Sequence, residues 1–129
     1  MLNYFWIMVG GALGTGARFW ASGWVAQRFG EFFPLGTLTV NVTGSFVIGF
    51  FAAITGPDGP LLVAPRARQF FMIGICGGYT TFSSFSLQTL DLAQGGDWMK
   101  AGLNAILSFA GCLLAVWLGR VSALALIAN

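Results

Sequence analysis

The chain has 129 residues, 57% of them hydrophobic and 8% charged, with a mean hydropathy of +0.80. A soluble domain carries about a quarter charged residues, so lipid and not water must solvate most of this surface. There is no His, and the acids are Glu31, Asp58, Asp91 and Asp97, so acid–base and metal chemistry have little to work with and an enzyme is not expected.

A membrane helix needs about 20 mostly apolar residues, and four stretches fit. The first runs from about Tyr4 to Gln27 and is closed by Arg28-Phe29-Gly30-Glu31. It has no basic residue ahead of it and no small-residue cleavage site, so it reads as a retained helix and not a signal peptide. Pro34 opens the second, from about Leu35 to Ile54, and Thr55-Gly56-Pro57-Asp58-Gly59-Pro60 is a strong turn signal. The third runs from near Arg66 to near Leu92, and Gln94-Gly95-Gly96-Asp97 separates it from the fourth, about Trp98 to Ala125. Short loops make neighbouring helices antiparallel. The expected organisation is one four-helix transmembrane domain over residues 1–129, an all-α membrane protein without repeat or second domain.

With an even number of helices, both termini share a side with the loop between the second and third. That side carries Arg66, Arg68 and Arg120, and the other carries Arg28 and Lys100. Lys/Arg bias normally sets orientation. Three against two gives either a weakly fixed topology or a chain that inserts both ways and pairs as an inverted dimer.

Several features inside the spans need explaining. Arg18 lies deep in the first helix, where a charge must snorkel, or else face water as the cationic wall of a vestibule. No intramembrane acid stands ready to pair with it, which favours an anion over a cation. Gly74-Ile75-Cys76-Gly77-Gly78-Tyr79-Thr80-Thr81 puts adjacent glycines at the centre of the third span. It is either a close helix crossing, through the small pair Gly74 and Gly78, or a break whose freed carbonyls form a cation site. Both readings can hold together. Phe82 and Phe85 follow at i, i+3 among Ser83, Ser84 and Ser86. A Phe pair is ordinarily packing, but an electropositive ring edge is also suited to a desolvated anion. Thr37, Asn41 and Ser45 line one face of the second helix, and Asn104, Ser108 and Cys112 line one face of the fourth. Each stripe alone reads as interhelical glue; together with Arg18 they make a polar, slightly positive interior. Cys76 and Cys112 have no metal-ligand spacing and read as small packing residues.

Three motifs resemble those of the bacterial fluoride channel family (CrcB/Fluc type). They are Gly10-Gly11-Ala12-Leu13-Gly14-Thr15-Gly16-Ala17-Arg18, then Gly36-Thr37-Leu38-Thr39-Val40-Asn41-Val42-Thr43-Gly44-Ser45-Phe46, then the third-span segment from Gly74 through Ser86. The fourth helix is weakly diagnostic. The resemblance implies an antiparallel, dual-topology homodimer in the bacterial inner membrane, with two pores for fluoride and a third helix broken at its centre. It implies a structural sodium ion on the dimer axis, held by the carbonyls of Gly77 and Thr80. Phe82 and Phe85 would meet fluoride with their ring edges, Asn41 would donate into the pore, and Arg18 would sit in the vestibule. Ser108, Ser84 and Asn104 are the further pore candidates. Transport would be passive export of fluoride, with fluoride, lipid and a second copy as partners and no nucleic acid.

Two rivals are set against this reading. A small multidrug exporter shares the size and the dual topology but depends on a first-helix carboxylate, which this chain lacks. A non-conducting assembly subunit would explain the small pairs Gly10/Gly14 and Gly74/Gly78 but neither Arg18 nor the polar stripes.

Overall fold

The computed structural model describes residues 1–129, and every regular element in it is helical. Helix α1 spans Leu2–Phe29 and ends at Gly30, whose φ of 85° lies in the left-handed region that glycine tolerates best, with its N–H on the Ala26 carbonyl at 2.8 Å. Helix α2 spans Leu35–Ile54, and α3, Pro65–Gln69, starts with proline at its first position, where no backbone donor is needed. The chain then continues without a bend in dihedral angles through a π-helical segment, Phe70–Cys76, into the short α4, Gly77–Tyr79. Thr80 and Thr81 are extended, with φ/ψ of −92°/157° and −152°/109°. Helix α5, Phe82–Gln94, is capped by the Thr81 hydroxyl, and α6 spans Trp98–Ala128 behind an Asp97 cap.

The interruption therefore falls at the end of the Gly74–Thr81 segment, after the glycines themselves. Gly77 and Gly78 remain helical because Gly78 is wedged against α1, where a methyl group would overlap the Gly11 carbonyl. The glycines serve close approach. Gly10 and Gly14 meet the backbone of Phe70, Gly74 and Ile75 with no room for a Cβ. The same device joins the most extensively packed pair of helices, α2 and α6, where Gly49 abuts Val116 and Gly119 abuts Phe46. Such small-residue seams are how membrane helices gain van der Waals contact without a hydrophobic drive.

The two ends of the bundle carry the charges that the loop pattern separates. Arg66 donates from Nε to Asn3 Oδ1 at 2.9 Å, and Arg68 to Thr55 Oγ1 at 3.2 Å, so both lie where α1 begins and α2 ends. At the opposite end Lys100 pairs with Asp97 at 3.0 Å and sits 5.8 Å from the Phe32 ring centre.

Burial is inverted relative to a soluble protein. Only 18 of 129 residues are buried, and they include Thr37, Asn41, Asn104 and Ser108, while Phe19, Trp20, Leu62 and Met99 are exposed. Polar groups inside and large apolar groups outside fit a lipid solvent. Three rods are long and apolar enough to cross a membrane: Leu35–Ile54, Pro65–Gln94 taken as one, and Trp98–Ala128. Helix α1 has the length, 28 residues or about 42 Å at the α-helical rise. Its polar residues, including Thr15, Arg18, Ser22 and Gln27, keep it below the apolarity of the other three. Length and apolarity thus give three spans where the sequence reading expects four.

Two expectations follow from the packing. Gly14→Leu should drive a side chain into the Ile75 carbonyl and lower stability by about 3 kcal/mol, the upper range for overpacking. Gly102→Ala, at an open position of α6, should change it by less than about 1 kcal/mol; melting curves of the purified variants compare the two. The Lys100 ammonium, bonded to Asp97, holds that carboxyl below its ordinary value. A depressed carboxylate contributes stability above its unfolded pKa of about 3.9 and loses it as pH falls through the lower folded value. Wild type should therefore be slightly more stable than Asp97→Asn at pH 6, and the gap should close as pH falls below the carboxyl's lowered folded value and in high salt.

Candidate functional site

Asn41 sits on the buried face of α2, opposite the point where the third rod is interrupted. Its side-chain amide makes two bonds to one backbone unit. Thr81 N donates to Oδ1 at 2.7 Å, and Nδ2 donates to the Thr81 carbonyl at 3.0 Å. In an uninterrupted α-helix the Thr81 amide would bond the Gly77 carbonyl four residues back; Asn41 takes that donor away. Thr80 N and Thr80 Oγ1 both donate to the Cys76 carbonyl, at 3.1 and 2.9 Å. Ser84 N turns to the Thr81 hydroxyl at 3.2 Å, starting α5. With the Thr80 amide on Cys76 and the Thr81 amide on Asn41, the Gly77 carbonyl loses its helical donors, and the Thr80 carbonyl receives none. Gly77 is also exposed, so the residue lies at the surface of the chain.

Beside this interruption lies a cavity of about 340 Å³ between α2, the third rod and α6. Among the expected site residues, Asn41, Gly77, Thr80, Phe82, Phe85 and Ser108 all line it. No carboxylate, Lys or Arg does. The donors and ring edges that would handle an anion are therefore neutral. The start of α5 also touches the cavity through Thr81 and Phe82, and the positive end of a helix dipole favours negative charge there.

The aromatic pair is joined by a third ring. Phe82 and Phe85 have centroids 5.3 Å apart at 53°, and Phe109 of α6 meets them edge-on at 6.3 and 6.0 Å. Phe85 is buried at 7% exposure, whereas Phe82 is 67% exposed and turned away from its own chain's core. Phe109 follows Ser108 in sequence and could have been found from the polar stripe, since its neighbour fixes the same helical turn at the cavity.

Three expected residues lie elsewhere. Ser84 accepts a bond from the Thr81 hydroxyl at 3.0 Å and belongs to the cap of α5. Asn104, 1% exposed, donates to Thr89 Oγ1 at 2.8 Å and ties α6 to α5. Neither lines the cavity. Arg18 lines neither this cavity nor the second one; its Nε donates to the Gly78 carbonyl at 3.0 Å, with Thr15 Oγ1 on the same oxygen at 3.5 Å. A half-buried cation thereby ties α1 to the last turn before the interruption, and its terminal guanidinium nitrogens have no partner in the chain. Thr81 and Thr89, central to these networks, were given no role of their own by the sequence reading. A Thr-x-x-Ser cap pattern, Thr81 to Ser84, was the available signal for the first.

The second cavity, about 640 Å³, opens where α1, α2 and α5 approach the Asp97 end. Ser22, Thr37 and Gln88 contribute to its wall, with Glu31, Asp91 and Asp97 around it. Gln88 Oε1 is buried there without a partner, a group that water in the cavity would satisfy.

The sequence is similar to known proteins along nearly its whole length. The family described as CrcB-like protein, Camphor Resistance (CrcB) matches residues 5–120. A Fluoride-specific ion channel FluC of Methylocella silvestris is 57% identical over 125 residues, covering 97% of this chain and 95% of the relative. Proteins with the same name from Opitutus terrae and Rhodospirillum rubrum are 58% and 55% identical over 126 and 122 residues. They cover 98% and 95% of this chain, and 96% and 95% of the relatives. With the match running through every helix that frames the interruption, the chain belongs to the CrcB-like family.

Proposed function

We propose that this chain is a passive, fluoride-selective channel of the bacterial inner membrane, working as an antiparallel homodimer with two pores that export cytoplasmic fluoride. The observation that carries the reading is the uncharged cavity at the interruption, lined by Asn41, Ser108, the two threonines and the Phe82–Phe85 ring pair. Fluoride is small and strongly hydrated, so neutral donors must replace its water without a fixed charge that would trap it. Asn41 holds one amide hydrogen on Thr81 and keeps a second to offer; Ser108 Oγ has no partner in the chain. The ring edges complete a low-charge path. The relatives' shared name, Fluoride-specific ion channel FluC, supports the choice of ion.

In this reading α1 crosses the membrane as the fourth span, and Pro65–Gln94 is one span broken at Thr80–Thr81. The dimer is supported by the exposure of Gly77, by Phe82 turned outward, and by the near balance of Arg66, Arg68 and Arg120 against Arg28 and Lys100. A twofold axis through the interruption would bring free carbonyls from two chains together. Their chemistry fits a hard monovalent cation such as sodium, with Gly77 and Thr80 of each chain as ligands. Bound there, the cation would neutralise carbonyls that lipid cannot satisfy and would lock the two copies together. Arg18, through its unpartnered nitrogens, would give the approach to the pore a positive potential.

An exporter of cations coupled to protons needs an intramembrane carboxylate, and the cavity has none. A purely structural subunit would not need unpartnered carbonyls beside a cavity.

The test is fluoride efflux from liposomes loaded with potassium fluoride, read with an electrode after valinomycin. Fast fluoride release without chloride release from matched vesicles is expected. Phe82→Ile and Phe85→Ile should each cut the rate at least tenfold (about 1.4 kcal/mol of barrier) while the protein still elutes as a dimer. Wild-type rates in both would remove the rings from the mechanism, and no fluoride release from folded wild-type dimers would remove the channel itself.

A further inference from the structure

The cavity has a second chemical character that an anion path does not require. Three of its lining side chains carry sulfur: Met72, Cys76 and Cys112. Met72 and Cys76 are four apart in the π-helical segment, close to one turn, so both face the same wall. Cys112 lies on α6 one turn beyond Ser108 and forms the facing wall. Both thiols are free. No Cα of the π-helical segment comes within 8 Å of any in α6, which is beyond the usual span of a disulfide, about 4.4–6.8 Å. A metal ion between the sulfurs bridges a wider gap, since two metal–sulfur bonds add roughly 4.6 Å where a disulfide adds about 2 Å.

We propose that Met72, Cys76 and Cys112 form a binding site for a soft, thiophilic cation of the silver(I) or copper(I) class, and that an ion bound there closes the anion path. Thiolate and thioether donors select such metals over hard ones. The remaining wall adds no competing hard ligand, because it has no carboxylate to attract calcium or magnesium. Binding replaces a sulfur–hydrogen bond by a sulfur–metal bond at each participating thiol and releases the proton to water. No oxidation state changes, and affinity rises with pH. Met72 supplies a neutral thioether that adapts to the ion's position without losing a proton.

The binding statement stands apart from the proposed channel; only the closure rests on it. Silver nitrate in chloride-free buffer is the probe, with the full-length protein and native mass spectrometry plus competition titration. One silver ion per chain is expected. Cys76→Ala and Cys112→Ala should each weaken it at least tenfold, and Met72→Leu should weaken it by less. Cys112→Ser, which keeps the size of the side chain, serves if the alanine variant elutes as aggregate. Two ions per chain, with each single-cysteine variant keeping one at unchanged affinity, would mean independent thiols and overturn the site. Unchanged binding in the double cysteine variant would do the same.

In liposomes, silver should lower wild-type fluoride efflux at least tenfold, and dithiothreitol should restore it. Silver bound by the three sulfurs without a change in efflux would overturn the closure. Absence of efflux before any silver is added would count against the channel reading, while the binding stoichiometry would still decide the site.

Discussion

The architecture turns on two hydrogen bonds between the Asn41 amide and the Thr81 backbone. A membrane helix satisfies its own polar groups by bonding each amide to the carbonyl four residues back. Removing one donor from that ladder exposes a carbonyl that lipid cannot solvate. Here the removal is deliberate in the geometric sense: Asn41 both accepts from and donates to the same residue, so Thr81 is satisfied while Gly77 is not. Everything near the interruption follows from this exchange. Thr81, held extended, caps α5 and starts a new helix whose positive end points at the cavity. Arg18 secures the other side by bonding Gly78, so the interruption is confined to a few residues between two fixed helical ends.

That confinement explains the pattern of the surface. The interior is taken up by Thr37, Asn41, Asn104 and Ser108, together with glycines at the helix crossings, and little apolar bulk remains for a core. The chain is held together by backbone approach at Gly14 and Gly119 and by side-chain ties such as Asn104 to Thr89. Phe82 and Gly77 are left on the outside. An exposed ring has lipid as an adequate solvent; a backbone carbonyl without a donor does not. The proposed pairing with a second copy therefore draws on the interruption far more than on apolar area.

The helices were legible because an apolar run of membrane length needs no partner to be recognised, and because Pro34, Gly30 and the turn at 55–60 mark their ends. The small pairs Gly10/Gly14 and Gly74/Gly78 were legible as crossing points by spacing alone. The segment Gly74 to Thr81 was legible as the place of a possible break, but which of its residues leave the helix was not. Thr80 and Thr81 do so, because the deciding partner is Asn41, 40 residues away in sequence. For the same reason Asn104 and Ser84 read as pore candidates: their polarity was visible, but their partners Thr89 and Thr81 were not. Asn41, Phe82, Phe85, Ser108, Gly77 and Thr80 do converge on one cavity, and spacing on a helix face was enough to find those on α2 and α6. Apolarity alone also left α1 short of the other spans, since its polar residues serve contacts with the third rod.

The claim that Asn41 creates a cation site by diverting the Thr81 amide is open to a direct comparison. Wild type and Asn41→Ala would each be purified throughout in sodium or in N-methylglucamine buffer, and their melting temperatures measured. A ligand that binds only the folded protein raises its stability. Sodium should therefore raise the melting temperature of wild type, and the rise should vanish in Asn41→Ala, where the Thr81 amide is free to return to the Gly77 carbonyl. An equal rise in both proteins, or none in wild type, would contradict the account.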